Sequence, residues 1–156
     1  MAMEHSVVLV KPDGLQRGLI GEIITRFERK GLKLAAIKMV RLNDEILDTW
    51  YAHHKDKPFF ASLKGFMMMS PIVAMVWEGV EAVDTIRKLV GVTKGRAAEG
   101  GSIRGDFAMS QSNNLIHASD SAESANREKS LMFKPGEIHQ YASGLDVLVY
   151  SDEELA

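Results

Sequence analysis

The chain has 156 residues, a formal net charge of −2, 46% apolar and 26% charged residues, a size and balance that suit one soluble domain, residues 1–156, around one core. It has no cysteine, which excludes disulfides, thiolate nucleophiles and cysteine-ligated zinc, and its slight negative charge gives no overall drive toward nucleic acid or anionic lipid. Its apolar runs, such as Ser6 to Val10 and Ile72 to Trp77, are too short to span a bilayer and no signal-peptide pattern opens the chain, so a cytoplasmic home without membrane contact is expected.

Val7 to Val10 is a compact β-branched run, a strand ended by Lys11-Pro12-Asp13-Gly14. That tetrad predicts a turn, with Pro presetting φ, Asp bonding its own backbone and Gly taking a positive φ. Apolar residues at 19, 20, 23, 24 and 27 predict an amphipathic helix, closed by Arg29, Lys30 and Gly31. Leu32 to Val40 reads as a strand, and Asn43 as the cap of a helix holding Ile46, Leu47 and Trp50. Pro58 opens a short helix through Phe59, Phe60 and Leu63. Ile72 to Trp77 is a strand and Glu81 to Val90 a helix, followed by a glycine-rich loop from Gly91 to Gly105. Leu115 to His117 is a brief strand, Ser121 to Phe133 a helix, and Leu145 to Tyr150 an extended segment before an acidic tail. The order is β-α-β twice over, with extra helices between. It predicts an α+β, ferredoxin-like (βαββαβ) fold whose antiparallel sheet packs helices on one face.

His117 draws attention within Asn113 to Ser124, NNLIHASDSAES. It stands at a strand end just before a helix start, where backbone N–H groups and the helix dipole favour an anion such as phosphate. Asp120 is the expected N-cap, with Glu123 closing a capping box, while Ser119 and Ser121 offer hydroxyls to the anion. Glu128 lies on the same helix face as Ser121 and Ser124, roughly 10 Å along the axis. It can meet His117 if the strand runs antiparallel to that helix, and would then fix the ring's tautomer. From spacing alone, a nucleophile and a structural ring with capped neighbours are equally good readings. His53 and His54, adjacent on a helix, are expected to point apart, which argues against a two-His metal site. His5 and His139 read as surface residues.

There is no Walker A motif and no G-x-G-x-x-G after a strand. A nucleotide site would therefore use scattered cations: Lys11 before its turn, Arg87 on a helix and Arg104 at the end of the glycine-rich loop. Each alone also reads as a solvated surface charge.

The segments VKPDGLQRGLIGEIITRFERKG, KPFF, VAMVWEG, IRGDF and NLIHASDSAESANRE stand in this order, and together they resemble nucleoside diphosphate kinase from about His5 to Tyr150. The resemblance implies ping-pong transfer of a γ-phosphoryl group from a nucleoside triphosphate, bound with Mg²⁺, to a nucleoside diphosphate of any base through a phosphohistidine at His117. It makes Lys11 the lysine that reaches the transferred phosphate and ribose hydroxyls. Tyr51 resembles the tyrosine beside the nucleophile and Glu128 the carboxylate that orients it. Arg87, Thr93 and Arg104 resemble the phosphate-binding group, Asn114 the ribose contact and Phe59 the platform beneath the base. His54 stands where some members touch phosphate. A π-face accepts every base, which suits broad specificity; of the adjacent pair, Phe60 better suits the core.

The sequence departs from the family at Gln111, where a small apolar residue usually closes over the base, and in a glycine-rich loop that lacks the usual prolines. The resemblance implies a homo-oligomer, hexamer, tetramer or dimer, and the length of roughly 150 residues with an extension past Tyr150 favours the hexameric branch. One alternative is an inactive, regulatory family member, but His117, Lys11 and Arg104 are all present. Another is an RNA-binding module, suggested by Lys64-Gly65-Phe66, but Met67-Met68-Met69 replaces the aromatics such a strand needs. No specific nucleic acid is therefore expected.

Overall fold

A computed structural model describes residues 2–156. Strand β1 (Met3–Val10) leads directly into helix α1 (Pro12–Gln16), then α2 (Ile20–Lys30) and β2 (Lys33–Val40). After α3 (Asp44–Trp50) and α4 (Phe60–Met68) come β3 (Ile72–Val80), α5 (Ala82–Val90) and α6 (Ile103–Phe107). The short β4 (Ile116–Ala118) precedes α7 (Ala122–Met132), and α8 (Asp146–Val149) and α9 (Asp152–Leu155) close the chain. The sheet order is β2-β3-β1-β4, and every neighbouring pair is antiparallel, as the ferredoxin-like reading requires.

Helices cover both faces of this sheet, not one. Val7, Val8, Leu9 and Val10 are all fully buried, and because strand side chains alternate in direction such a run needs cover on each side. Val8 and Val10 join Val73, Met75 and Trp77 against Ile23 and Phe27 of α2 and Ile86 of α5. Val7 and Leu9 join Ala74 and Val76 against Leu47 and Trp50 of α3, Met67 of α4 and Met132 of α7. Phe27 meets Trp77 edge-on at 5.2 Å between centroids.

The helix predicted from the 19–27 spacing is α2, and Gly31 ends it in the left-handed region at φ 98, a conformation that favours glycine. Asn43 caps α3 by accepting the Ile46 N–H at 2.9 Å. Other expectations need correction. Lys11 to Gly14 does not form a positive-φ turn: Pro12 opens α1, and the positive-φ glycine lies later, at Gly18. The glycine-rich loop contains a 3-10 turn at Gly95–Ala97 and helix α6, which Ser102 caps by accepting the Gly105 N–H at 3.0 Å. Residues 145–150 are not extended. Asp146–Val149 makes a helical turn on the surface, and Tyr150 accepts the Val80 N–H through its hydroxyl at 3.2 Å. The N-cap of α7 is Ser121, whose hydroxyl accepts the Ser124 N–H at 3.0 Å, so Asp120 lies one residue outside the helix start.

Candidate active site

The pairing of Leu9 with His117 fixes where the histidine points. Directly paired residues share a face, so the imidazole stands on the Leu9 side of the sheet, where Trp50 meets it edge-on with centroids 5.3 Å apart. Glu128 on α7 reaches the ring: its Oε1 lies 3.1 Å from His117 Nε2. The Ser119 hydroxyl donates to the other oxygen, Oε2, at 2.6 Å and accepts the Val7 N–H at 2.9 Å. Ser119 therefore steadies the carboxylate and Ser121 caps a helix, and neither lines the cavity into which the histidine faces. With Nε2 turned to a buried carboxylate, the favoured tautomer carries its proton there and leaves the Nδ1 lone pair available.

His117 and Glu128 line a cavity of about 400 Å³ together with Lys11, Arg87 and Arg104. Tyr51, Thr93, Asn114 and His54 also face it. Phe59 does not: its ring is 49% exposed and stands outside, edge-on to His54 at 5.3 Å. Phe60 packs toward the core under α4, so the two neighbours do point differently. His53 and His54 do not point apart as expected, because a 3-10 turn replaces the regular helix there and brings their ring centroids to 4.0 Å. Both line the cavity, yet no group of three or more metal-ligating side chains exists among the described residues. His5 is half-buried, between Glu78 and Lys129, while His139 is exposed.

The cations are held before any ligand arrives. Lys11 Nζ donates to Asn114 Oδ1 at 2.7 Å. Asn114 in turn gives its N–H groups to the Thr93 and Gln111 carbonyls at 2.9 and 2.8 Å, so this amide ties the glycine-rich loop to the lysine. Arg104 donates from Nε, Nη1 and Nη2 to the carbonyls of Asn114, Gly91 and Ile116 at 3.2, 3.0 and 2.6 Å. Burial, then the Arg104 guanidinium, brings the Lys11 ammonium down to about 8. Burial and Arg87 bring Arg104 down to about 10. Packed cations of this kind are strained without an anion, which is what an anion site requires. Burial, then the Glu128 charge, pushes Tyr51 up to about 12, so it stays a neutral donor.

One backbone feature holds these parts in register. Ile116 N–H donates to Asn114 C=O at 2.9 Å with Leu115 between them at φ 74, a three-residue turn of the rare, strained hand. Gly14 packs against it: an added Cβ would lie 2.9 Å from Leu115 O and 2.7 Å from Val10 Cγ1. Gly14→Ala is expected to destabilise the fold by about 1–3 kcal/mol, measured as the shift in urea midpoint at constant slope.

Sequence reasoning passed over Trp50, His53 and Arg127 at the cavity wall. Trp50 and Arg127 adjoin Tyr51 and Glu128 in sequence, which was the available signal.

The fold and site define a class: α+β proteins that present a carboxylate-oriented histidine to a cation-lined cavity of nucleotide size. The family model for nucleoside diphosphate kinase matches residues 4–138. A nucleoside diphosphate kinase of Staphylothermus marinus is 54% identical over 138 residues, covering 88% of this chain and 98% of that protein. One from Parabacteroides distasonis is 50% identical over 152 residues, covering 97% and 99%. Among solved structures, a halophilic nucleoside diphosphate kinase from Halobacterium salinarum in complex with CDP superposes with a TM-score of 0.94 at 43% identity, covering 96% of this chain and all of that one. The chain belongs to the nucleoside diphosphate kinase family.

Proposed function

We propose that this chain moves the γ-phosphoryl group of a nucleoside triphosphate to a nucleoside diphosphate through a phosphohistidine on His117. The contact between His117 Nε2 and Glu128 at 3.1 Å carries the reading, because it orients the ring and reserves Nδ1 for attack. In the first half-reaction the Nδ1 lone pair forms the N–P bond while the bond from phosphorus to the bridging oxygen breaks, and the diphosphate leaves with that electron pair. The proton on Nε2 stays against Glu128, whose charge offsets the cationic ring. In the second half-reaction a terminal phosphate oxygen of another diphosphate attacks phosphorus, and the pair returns to Nδ1. Covalent catalysis of this kind splits one transfer into two matched steps, and positioning with charge neutralisation supplies most of the rate.

Lys11, Arg87 and Arg104 meet the phosphates, with Thr93 beside them, and Tyr51 donates near the transferred group. Phe59 at the mouth offers a stacking face without edge hydrogen bonds, which supports broad base use. Asn114 is 2% exposed and keeps a free carbonyl lone pair for a ribose hydroxyl beside its own tethers. The relative solved with CDP supports a diphosphate in this cavity. Mg²⁺ bound with the nucleotide phosphates would supply further charge neutralisation, and the described residues form no protein cage of three or more ligands for it.

The working unit we infer is one domain, residues 1–156, in a cytoplasmic homohexamer. Exposed Ile37 and Met39 on the outer strand β2 support self-association, and no helix among the described residues is long and apolar enough to cross a membrane. Sedimentation at six times 17.3 kDa is the expected result; a monomer would overturn it.

Incubation with γ-labelled ATP and Mg²⁺ tests the activity. Label should remain on the protein, survive alkali, be lost in acid and be discharged by GDP. A folded, nucleotide-binding protein that takes no label would sink the reading. The pH profile offers a second check. Lys11 is protonated below about 8 and neutral above, so kcat/KM should fall as pH rises through that value, because a neutral amine no longer neutralises phosphate charge.

A further inference from the structure

Asp13 does not line the cavity, yet its carboxylate reaches across the chain to the turn beneath it. We propose that Asp13 is a positioning residue for phosphoryl transfer: its carboxylate braces the strained Asn114-Leu115-Ile116 turn and supplies the counter-charge to Lys11. The proposal rests on the reading of Lys11 and Arg104 as phosphate ligands.

Leu115 at φ 74 adopts a conformation that costs a non-glycine residue about 1–3 kcal/mol and persists only where its surroundings hold it. One short segment does the holding. The Leu115 N–H donates to Asp13 Oδ2 at 3.0 Å, and its carbonyl accepts the Lys11 N–H at 2.8 Å. The flanking carbonyls of Asn114 and Ile116 are the ones that hold Arg104, and the Asn114 side chain holds Lys11 Nζ. His117 follows the turn directly. If Leu115 slackens, both cations and the nucleophile lose their common reference.

The second carboxylate oxygen gives an independent argument. Asp13 Oδ1 is buried without a hydrogen-bond partner, which is unfavourable for a charged acceptor unless a cation compensates through space. Lys11 is that cation, and the Asp13 charge favours its protonated form. Around the cavity, Arg104 from α6 acts in the opposite sense on Lys11, and Arg87 from α5, His117, His53, His54, Arg127 and Asp120 also face the space. Glu128 is already committed to His117 and Ser119. Asp13 thus opposes burial and Arg104, which both favour loss of the Lys11 proton.

Two variants separate brace from charge. Asp13→Asn keeps a carbonyl oxygen for the Leu115 N–H and removes the charge; Asp13→Ala removes both. The Lys11 midpoint is read in the free protein from lysine ¹³Cε shifts, assigned by the signal missing in Lys11→Met. In Asp13→Asn this midpoint should move down by about one unit. The alkaline limb of kcat/KM should follow, leaving activity about ten-fold below wild type at pH 9 but within about two-fold at pH 6.5. Asp13→Ala, folded by circular dichroism, should be lower by about 10–100-fold at every pH. An unmoved Lys11 midpoint in Asp13→Asn overturns the counter-charge, and this arm decides if the alanine variant does not fold. Wild-type kcat/KM at pH 6.5 in Asp13→Ala overturns the brace. A midpoint that moves while the kinetic limb stays put supports the coupling to Lys11 and refutes instead the reading of Lys11 as a phosphate ligand.

Discussion

His117→Ala is expected to lose transfer activity by at least about 10⁴-fold while folding normally. The ring is half-buried on a three-residue edge strand, and the neighbouring core residues Leu9, Ile116 and Trp50 keep their own contacts, so the fold does not depend on it. No other side chain at the cavity can replace it. Tyr51 is held in its neutral form by burial, and the rings of His53 and His54 belong to a separate turn without the buried carboxylate that orients His117. Nucleotide binding should persist, since Lys11 and Arg104 are anchored by the Asn114 side chain and by backbone carbonyls. Single-turnover labelling and equilibrium ADP binding measured on one preparation separate these effects. Label remaining on the variant would move the nucleophile elsewhere.

Glu128→Ala carries the second-largest expected effect, a fall in the phosphorylation rate of about 10²–10³-fold with KM changed by less than about three-fold. The carboxylate holds the ring, so its loss is expected to act on the reacting atom. Without it, nothing among the described residues selects the Nε2–H tautomer, and the cationic ring formed on attack loses its buried partner. Glu128 is 3% exposed and also receives the Ser119 hydroxyl, so some stability should be lost with it. Glu128→Gln keeps the volume and a carbonyl acceptor for Ser119, and should recover that stability while recovering little of the rate. A collapse of nucleotide affinity in either variant, measured by ADP titration, would make the role structural instead.

Much of the site was legible because its signals are local. The α2 stripe at 19–27 has helical spacing, Gly31 closes it, and Asn43 caps α3, all within one or two turns of chain. His117 at a strand end and Glu128 on the next helix are 11 residues apart, short enough for strand and helix geometry alone to bring them together. Lys11, Arg104 and Asn114 stand in the ordered motifs, Arg87 and Thr93 follow from the resemblance those motifs carry, and all five face one cavity. The cap shifted from Asp120 to Ser121 because helix starts depend on which side chain meets the free N–H groups, a choice of one residue that sequence states poorly.

What the sequence determined by itself was therefore the element order, the antiparallel α+β class, the family motifs and the histidine–carboxylate spacing. These depend on periodicity, capping and residue type, which act over a few residues. Tertiary structure alone decided the rest. Cover on both sheet faces came from packing α3, α4 and α7 against one side and α2 and α5 against the other. The spent hydroxyl of Ser119, the tethered amide of Asn114, the paired rings of His53 and His54 and the placement of Phe59 outside the cavity wall also depend on contacts between segments. Most of all, Asp13 and Leu115 meet across 102 positions. No local periodicity encodes that hydrogen bond; it exists because β1 and β4 lie side by side, and it is sheet pairing that carries Lys11 to the turn from which His117 follows.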